Sequence, residues 1–182
     1  MTEVRWHGRG GQGGWTAARL LGKAVALYEN RYALAFPSFG PERRGAPVLG
    51  FTKIDDKKIL DRSEVKACDF VVILDETLMT PGTMQGVKTD ATVVLNTVHP
   101  EKYREAVGER TLVTIDATSL ALTHLGLPIT NTVMLATLAA ASGLIQQSSL
   151  LAAMKSELKP SVLEKNVAAV RAVFDQFKGG QR

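Results

Sequence analysis

Gly8-Arg9-Gly10-Gly11-Gln12-Gly13-Gly14 is the stretch on which the reading of this chain turns. Five glycines in seven positions let the backbone enter φ > 0 and bring its N–H groups close to a bound group. The short apolar run Val4–His7 precedes it. Trp15–Glu29 follows, with apolar residues at Ala18, Leu21, Ala24, Val25 and Tyr28, the spacing of one helix face. A strand, a glycine turn and a helix in that order aim free N–H donors and the positive end of a helix dipole at one spot. Such a spot suits a phosphate or a carboxylate.

Further strand-like runs stand at Tyr32–Phe36, Val48–Ile54, Phe70–Leu74, Thr92–Asn96 and Leu112–Ile115. They are short and rich in β-branched or aromatic residues, and several lack polar alternation, as strands buried on both faces do. Helices are predicted at Ser119–Leu125, Thr132–Ser142 and Ser148–Leu158, with Gly126 and Gly143 ending the first two. Thr132–Ser142 is almost wholly apolar, so it is buried or lies against another subunit. Thr130-Asn131-Thr132 reads as its N-cap. Ser161-Val162-Leu163-Glu164 reads as a capping box opening a last helix, whose stripe is Leu163, Val167, Val170, Phe174 and Phe177. Asp55-Asp56-Lys57-Lys58 is a turn, which allows a β-hairpin over Val48–Leu60. No repeat, low-complexity segment or linker divides the chain. The expectation is one domain over residues 1–182. It is a Rossmann-like three-layer α/β/α sandwich with a largely parallel or mixed sheet.

Composition narrows the class. A length of 182 residues suits a single domain with a full core. Net charge is +4, but the basic residues are scattered and aromatics are few, so nucleic acid is not an expected partner. No apolar stretch reaches the roughly 18 residues of a membrane span. The start Met-Thr-Glu-Val-Arg-Trp-His carries no secretory signal pattern, and a cytoplasmic location is expected. Cys68 is the only cysteine, so an internal disulfide is excluded and a self-contained iron–sulfur or metal site is not expected; it reads as a packing residue at a strand start.

Gly8, Gly10 and Gly13 satisfy G-x-G-x-x-G in the strand–turn–helix context. The usual acidic partner for a ribose, at the end of the second strand, is missing: that strand ends Ala35-Phe36-Pro37-Ser38. An NADP-type site, another ligand, a protein partner or a tight turn without ligand all remain open on this ground. The Gly-Lys-Ser/Thr ending of an ATP-hydrolysing loop is also missing. A second constellation is Phe36-Pro37-Ser38-Phe39-Gly40-Pro41-Glu42-Arg43-Arg44-Gly45-Ala46-Pro47. Its three prolines and two internal glycines restrict the loop and hold Phe39, Arg43 and Arg44 at reduced entropy cost. Following the second strand of an open sheet, it is expected beside the glycine loop, where Arg9, Arg43 and Arg44 would surround an anion. His7, His99 and His124 are too scattered for a catalytic triad, and no catalytic residue is assigned. Asp75 is expected to cap the turn after its strand, and Trp6 and Trp15 to pack beside the loop.

Trp6-His7-Gly8-Arg9-Gly10-Gly11-Gln12-Gly13 and the 36–47 segment together resemble the gamma subunit of the 2-oxoacid:ferredoxin oxidoreductases, the pyruvate type most of all. The resemblance continues through Cys68-Asp69-Phe70-Val71-Val72-Ile73-Leu74-Asp75 and Asn131-Thr132-Val133-Met134-Leu135, nearly the whole chain. It implies a subunit of an enzyme that converts pyruvate and coenzyme A to acetyl-CoA, CO2 and reduced ferredoxin. Partners would be alpha-, beta- and delta-type subunits, with ferredoxin reached through the complex. Thiamine diphosphate, magnesium and iron–sulfur clusters would belong to those companions. Coenzyme A contacts would fall to Gly10, Gly11 and Gln12 with Arg43 and Arg44, since loop N–H groups and guanidinium forks both suit phosphate oxygens. Gly14-Trp15 departs from the small residues expected after the loop. The alternative is a stand-alone nucleotide-binding regulatory module. A subunit further implies an exposed apolar patch, expected on the 36–47 loop or the 132–142 helix.

Overall fold

The computed structural model describes residues 1–38 and 44–179. Six strands form one mixed sheet in the order β2-β3-β1-β4-β5-β6. They are β1 Thr2–Arg9, β2 Tyr32–Pro37, β3 Pro47–Asp55, β4 Cys68–Ile73, β5 Val87–Asn96 and β6 Thr111–Ile115. β1, β4, β5 and β6 run parallel, while β3 lies antiparallel to both β1 and β2. Every strand anticipated from the β-branched runs is present. The helices are α1 Gly14–Tyr28, the single-turn α2 Arg104–Val107, α3 Ala117–Leu125, α4 Asn131–Ser142, α5 Gln147–Glu157 and α6 Pro160–Lys178. The chain is an α/β fold on a mixed sheet.

The two helical layers are unequal. α1, α3, α4, α5 and α6 pack on one face, around Val4, Trp6, Val72, Val94 and Ile115 of the strands. The opposite face carries Phe51, Val71, Ile73, Val93 and Leu95, and is covered by α2, 3-10 turns and connecting segments. The cause lies in β1, whose residues alternate. Val4 and Trp6 enter the helical side, while Glu3, Arg5, His7 and Arg9 face the other. Arg5 is buried there and donates to the carbonyls of Thr83 (2.7 Å) and Gln85 (3.0 Å), tying the β4–β5 connection to the sheet. Lys53 of β3 is fully buried and paired with Asp61 (2.6 Å) and Glu3 (3.4 Å). Asp61 belongs to the segment after β3, which is therefore drawn across the sheet instead of returning as a strand. That corrects the hairpin expected over Val48–Leu60: β3 pairs with β1 and β2 on its two sides.

Two helix starts differ from expectation. α6 begins a residue before the supposed capping box, with Lys159 as N-cap and Pro160 in the first turn, so Ser161 lies inside the helix and caps nothing. Proline at the first helical position is pre-set for helix geometry. At α4, Thr130 occupies the N-cap position without a side-chain bond, and Asn131 Oδ1 accepts from the Thr132 amide (2.9 Å) instead. α4 is buried from Asn131 through Ala139. Only its last turn, Ala140–Ser142, reaches the surface, so the body of this helix is a core element and not the expected apolar patch. On the 36–47 segment Phe36 is half-buried and packs on the sheet, while residues 39–43 lie outside the described range. Exposed apolar side chains Leu127, Ile129 and Val162 line one hollow. No helix among the described residues is long and apolar enough to cross a membrane.

Candidate functional site

The glycine loop leaves β1 at the centre of the sheet. The connection after β1 runs through α1 on the helical face, whereas that after β4 runs over the opposite face, with Leu78, Met79 and Met84 packed there. β1 and β4 are adjacent and parallel. Between their carboxyl ends lies the switch point of the fold, where open α/β sheets bind ligands. Gly13 is the N-cap of α1 at φ 80° with no side-chain cap, and Gly11 sits at φ 94°. The first-turn amides of α1 are thus left without a side-chain partner at the carboxyl edge, as an anion site requires.

The two constellations meet as expected. Gly10 bridges to Arg44, the Gly10 amide donates to Ala46 O (2.8 Å), and the Gly45 amide donates to Gly10 O (3.0 Å). On the other side of β1 stands Asp75, at the end of β4. Its Oδ2 accepts from Arg9 Nε (2.9 Å) and Gln12 Nε2 (3.2 Å), and its Oδ1 from the Thr77 amide (3.0 Å). Gln12 Oε1 closes the loop by accepting from the Arg9 amide (2.7 Å). Arg9 also donates to Gly45 O (3.1 Å) and Thr77 Oγ1 (2.7 Å). One guanidinium therefore binds the glycine loop, the 44–46 segment and the β4 turn together. Hydrogen bonds from Thr77, Gln12 and Arg9 hold the Asp75 carboxyl below the usual carboxylate range, despite its partial burial. Arg9 is committed to this network by its bonds to Asp75, Gly45 and Thr77. Gln12 is likewise a brace of the loop. Arg44 is exposed, and Arg43 lies outside the described residues.

Residues 3–176 match the family described as pyruvate ferredoxin/flavodoxin oxidoreductase. The chain belongs to this family. It is 44% identical over 178 residues to pyruvate synthase subunit PorC of Methanocaldococcus jannaschii, with 97% of each chain covered. It is 45% identical over 183 residues to the pyruvate/ketoisovalerate oxidoreductases common subunit gamma of Pyrococcus abyssi, again covering 97% of each. Among solved structures, pyruvate oxidoreductase subunit PORC of Thermotoga maritima is 34% identical. It superposes with a TM-score of 0.85 over 96% of this chain and 95% of that one. The 2-oxoglutarate:ferredoxin oxidoreductase of Magnetococcus marinus shares the fold alone, at 17% identity and a TM-score of 0.77, with 30% of its longer chain covered.

In this member of the oxidoreductase family one further residue shapes the loop. Asn131, at the start of α4, presses its side chain against Gly13, leaving no room for a Cβ there. Trp6 is fully buried and donates to Thr52 Oγ1 (3.1 Å), a packing role, while Trp15 packs at the core margin. Neither the Asn131 contact nor the Asp75 hub has a local sequence signal; both need the strand order. Cys68 is buried, and burial raises its thiol pKa. It packs at the start of β4, as its position suggested.

His7 is engaged by Arg5 of its own strand. Its Nε2 accepts from Arg5 Nε (3.0 Å), which fixes the neutral ring, and burial followed by the Arg5 charge lowers its pKa to about 3. A histidine held neutral when folded takes up a proton near its ordinary pKa when unfolded. Stability is therefore full above about pH 6.5 and falls as pH drops toward 3, by up to about 1.4 kcal/mol per pH unit from this group. In urea melts at pH 7 and pH 5 the parent chain should lose more stability than His7→Gln. Equal losses would show that His7 does not carry the dependence.

Proposed function

We propose that this chain is the gamma subunit of a multi-subunit pyruvate (2-oxoacid):ferredoxin oxidoreductase, contributing coenzyme A contacts and assembly surface. The observation that carries the reading is the near-complete mutual coverage with relatives that are themselves named single subunits of such enzymes. The overall reaction joins pyruvate and coenzyme A, releases CO2, and passes two electrons to ferredoxin through the complex. On the family resemblance, thiamine diphosphate and magnesium belong to alpha-, beta- and delta-type companions, and the iron–sulfur clusters with them, in keeping with a single cysteine that cannot ligate a four-cysteine cluster. Within this chain Gly10 and Gly11 would supply a close-approach backbone, Gln12 would hold its shape, and Arg43 and Arg44 would be the guanidinium partners of the phosphates.

The test is the assembled enzyme assayed with pyruvate, coenzyme A and a viologen dye, beside the chain alone, which should give no turnover. Arg43→Ala with Arg44→Ala should raise the KM for coenzyme A about ten- to a hundredfold, because a charge-assisted hydrogen bond is worth about 1.5–3 kcal/mol. The KM for pyruvate should stay unchanged. If the arginines only hold a companion subunit, the variant would fail to assemble and any complex formed would keep its coenzyme KM. Intact assembly with unchanged coenzyme kinetics would remove both roles.

A further inference from the structure

β2 is one edge of the sheet and, among the described residues, pairs with β3 alone. Natural edge strands carry lysine, an inward-pointing charge or a bulge that stops them from pairing with another chain. Tyr32-Ala33-Leu34-Ala35-Phe36-Pro37 has no charged residue and an unbroken register with β3, with proline only at its last position. Ser38 fixes the hydrogen-bond phase of the strand, because its amide donates to Leu49 O directly across from it (2.9 Å). Every second residue of an antiparallel ladder repeats that pattern, so Phe36, Leu34 and Tyr32 bond inward to β3. The amides and carbonyls of Ala33 and Ala35 then point outward along the open edge. Both alanine side chains face Gly22 of α1. Tyr32, Leu34 and Phe36 alternate onto the other face, where Tyr32 is 51% exposed and the other two are half-buried.

These outward groups fit a second copy of the same strand. A twofold axis through Leu34, perpendicular to the sheet, sets Ala33 opposite Ala35 of the other copy, and the two exchange both main-chain bonds. The symmetric pair repeats the exchange. Side chains agree with this register. Leu34 meets its own counterpart on the axis, and Tyr32 meets Phe36 of the other copy, an aromatic cross-strand pair of the kind that stabilises sheets. No charge of β2 faces its like. At each rim Arg31 approaches the end of the other β2, where the Ser38 hydroxyl holds Glu64 (3.0 Å), so unlike charges come together there. An isologous pair of this kind covers both edges at once and does not propagate into a fibre. We propose that two copies of this chain join through their β2 edges, antiparallel and about a twofold axis at Leu34, into one continuous sheet. The pairing stands on the edge alone and does not depend on a coenzyme role for the glycine loop.

Sedimentation equilibrium of the full chain tests this. The parent should be a dimer, and Leu34→Lys should weaken self-association at least about tenfold, since like charges directly opposite one another oppose pairing. Leu34→Glu should do the same. Mixing the two variants should restore the dimer, because the axis places lysine and glutamate face to face. A loss of fold could not be repaired by mixing. Ala33→Pro should also dissociate the pair, as it removes an outward N–H and leaves the β2–β3 ladder intact. A monomeric parent would overturn the proposal and leave the edge to a companion subunit. A dimer indifferent to the charges at position 34, or variants that part and do not recombine, would overturn it as well.

Discussion

Leu135→Ala in α4 should lower the unfolding free energy of the isolated chain by about 2–5 kcal/mol, the usual cost of emptying a packed leucine site. Leu135 is fully buried, in a helix whose neighbours are α1, α3, α5, α6 and β5. A helix apolar on all sides has two explanations in a multi-subunit enzyme, a core position or an interface with a companion. The two differ in where the loss falls. A core helix loses chain stability whether or not companions are present, whereas an interface helix loses assembly and leaves the isolated chain's melting unchanged. Leu127→Ala is the contrast. Leu127 is 56% exposed and its removal should move stability by no more than about 0.5 kcal/mol. Denaturant melts of the two variants check this. A stable Leu135→Ala chain that cannot join its companions would restore the interface reading of α4.

Local chemistry made the strands legible because each is a short β-branched run whose character does not depend on its neighbours. The helices of the covered face were legible for the same kind of reason, as periodic stripes such as Leu163, Val167, Val170, Phe174 and Phe177. What failed were inferences that need a partner distant in sequence. Asp55-Asp56-Lys57-Lys58 has the composition of a hairpin turn, but a buried Lys53 draws Asp61 over the sheet and no returning strand forms. The Ser161 box has the right letters, but Pro160 starts the helix earlier. In the candidate site the glycine loop was visible because glycine spacing is local. Its organiser was not, since Asp75 lies 66 residues from Arg9 and meets it only because β4 is laid beside β1. The same adjacency explains how a loop without an acidic residue at the end of β2 still faces a carboxylate. The close seat of α1 on the sheet also rests on pairs far apart in sequence, Gly22 against Ala35 and Gly50 against Ala18.

Gly13→Ala should be the most damaging small change at the loop. Two costs combine at this residue. At φ 80° a Cβ is strained, at about 1–2 kcal/mol. The same Cβ would also overlap Nδ2 of Asn131 and come within 3.0 Å of its Cγ, so the buried amide must move, at about 1–3 kcal/mol. Gly11→Ala isolates the first cost, because Gly11 is at φ 94° with open space where a Cβ would stand. Asn131→Ala placed in the Gly13→Ala background isolates the second, since it removes the crowded atoms and leaves only a Cβ at 3.3 Å. The expected order of stability is parent, then Gly11→Ala, then Gly13→Ala, with the double variant recovering part of the loss. The single Asn131→Ala should be destabilised by the lost bond to the Thr132 amide, so the cycle must show coupling and not a sum. On the proposed coenzyme A role, affinity of the assembled enzyme for the coenzyme should follow the same order, because both costs act by moving the first-turn amides of α1 away from the switch point. Additive stabilities would show that the Asn131 contact is incidental to the loop. A stability loss without a loss of coenzyme affinity would show that the amides of this turn are scaffold alone.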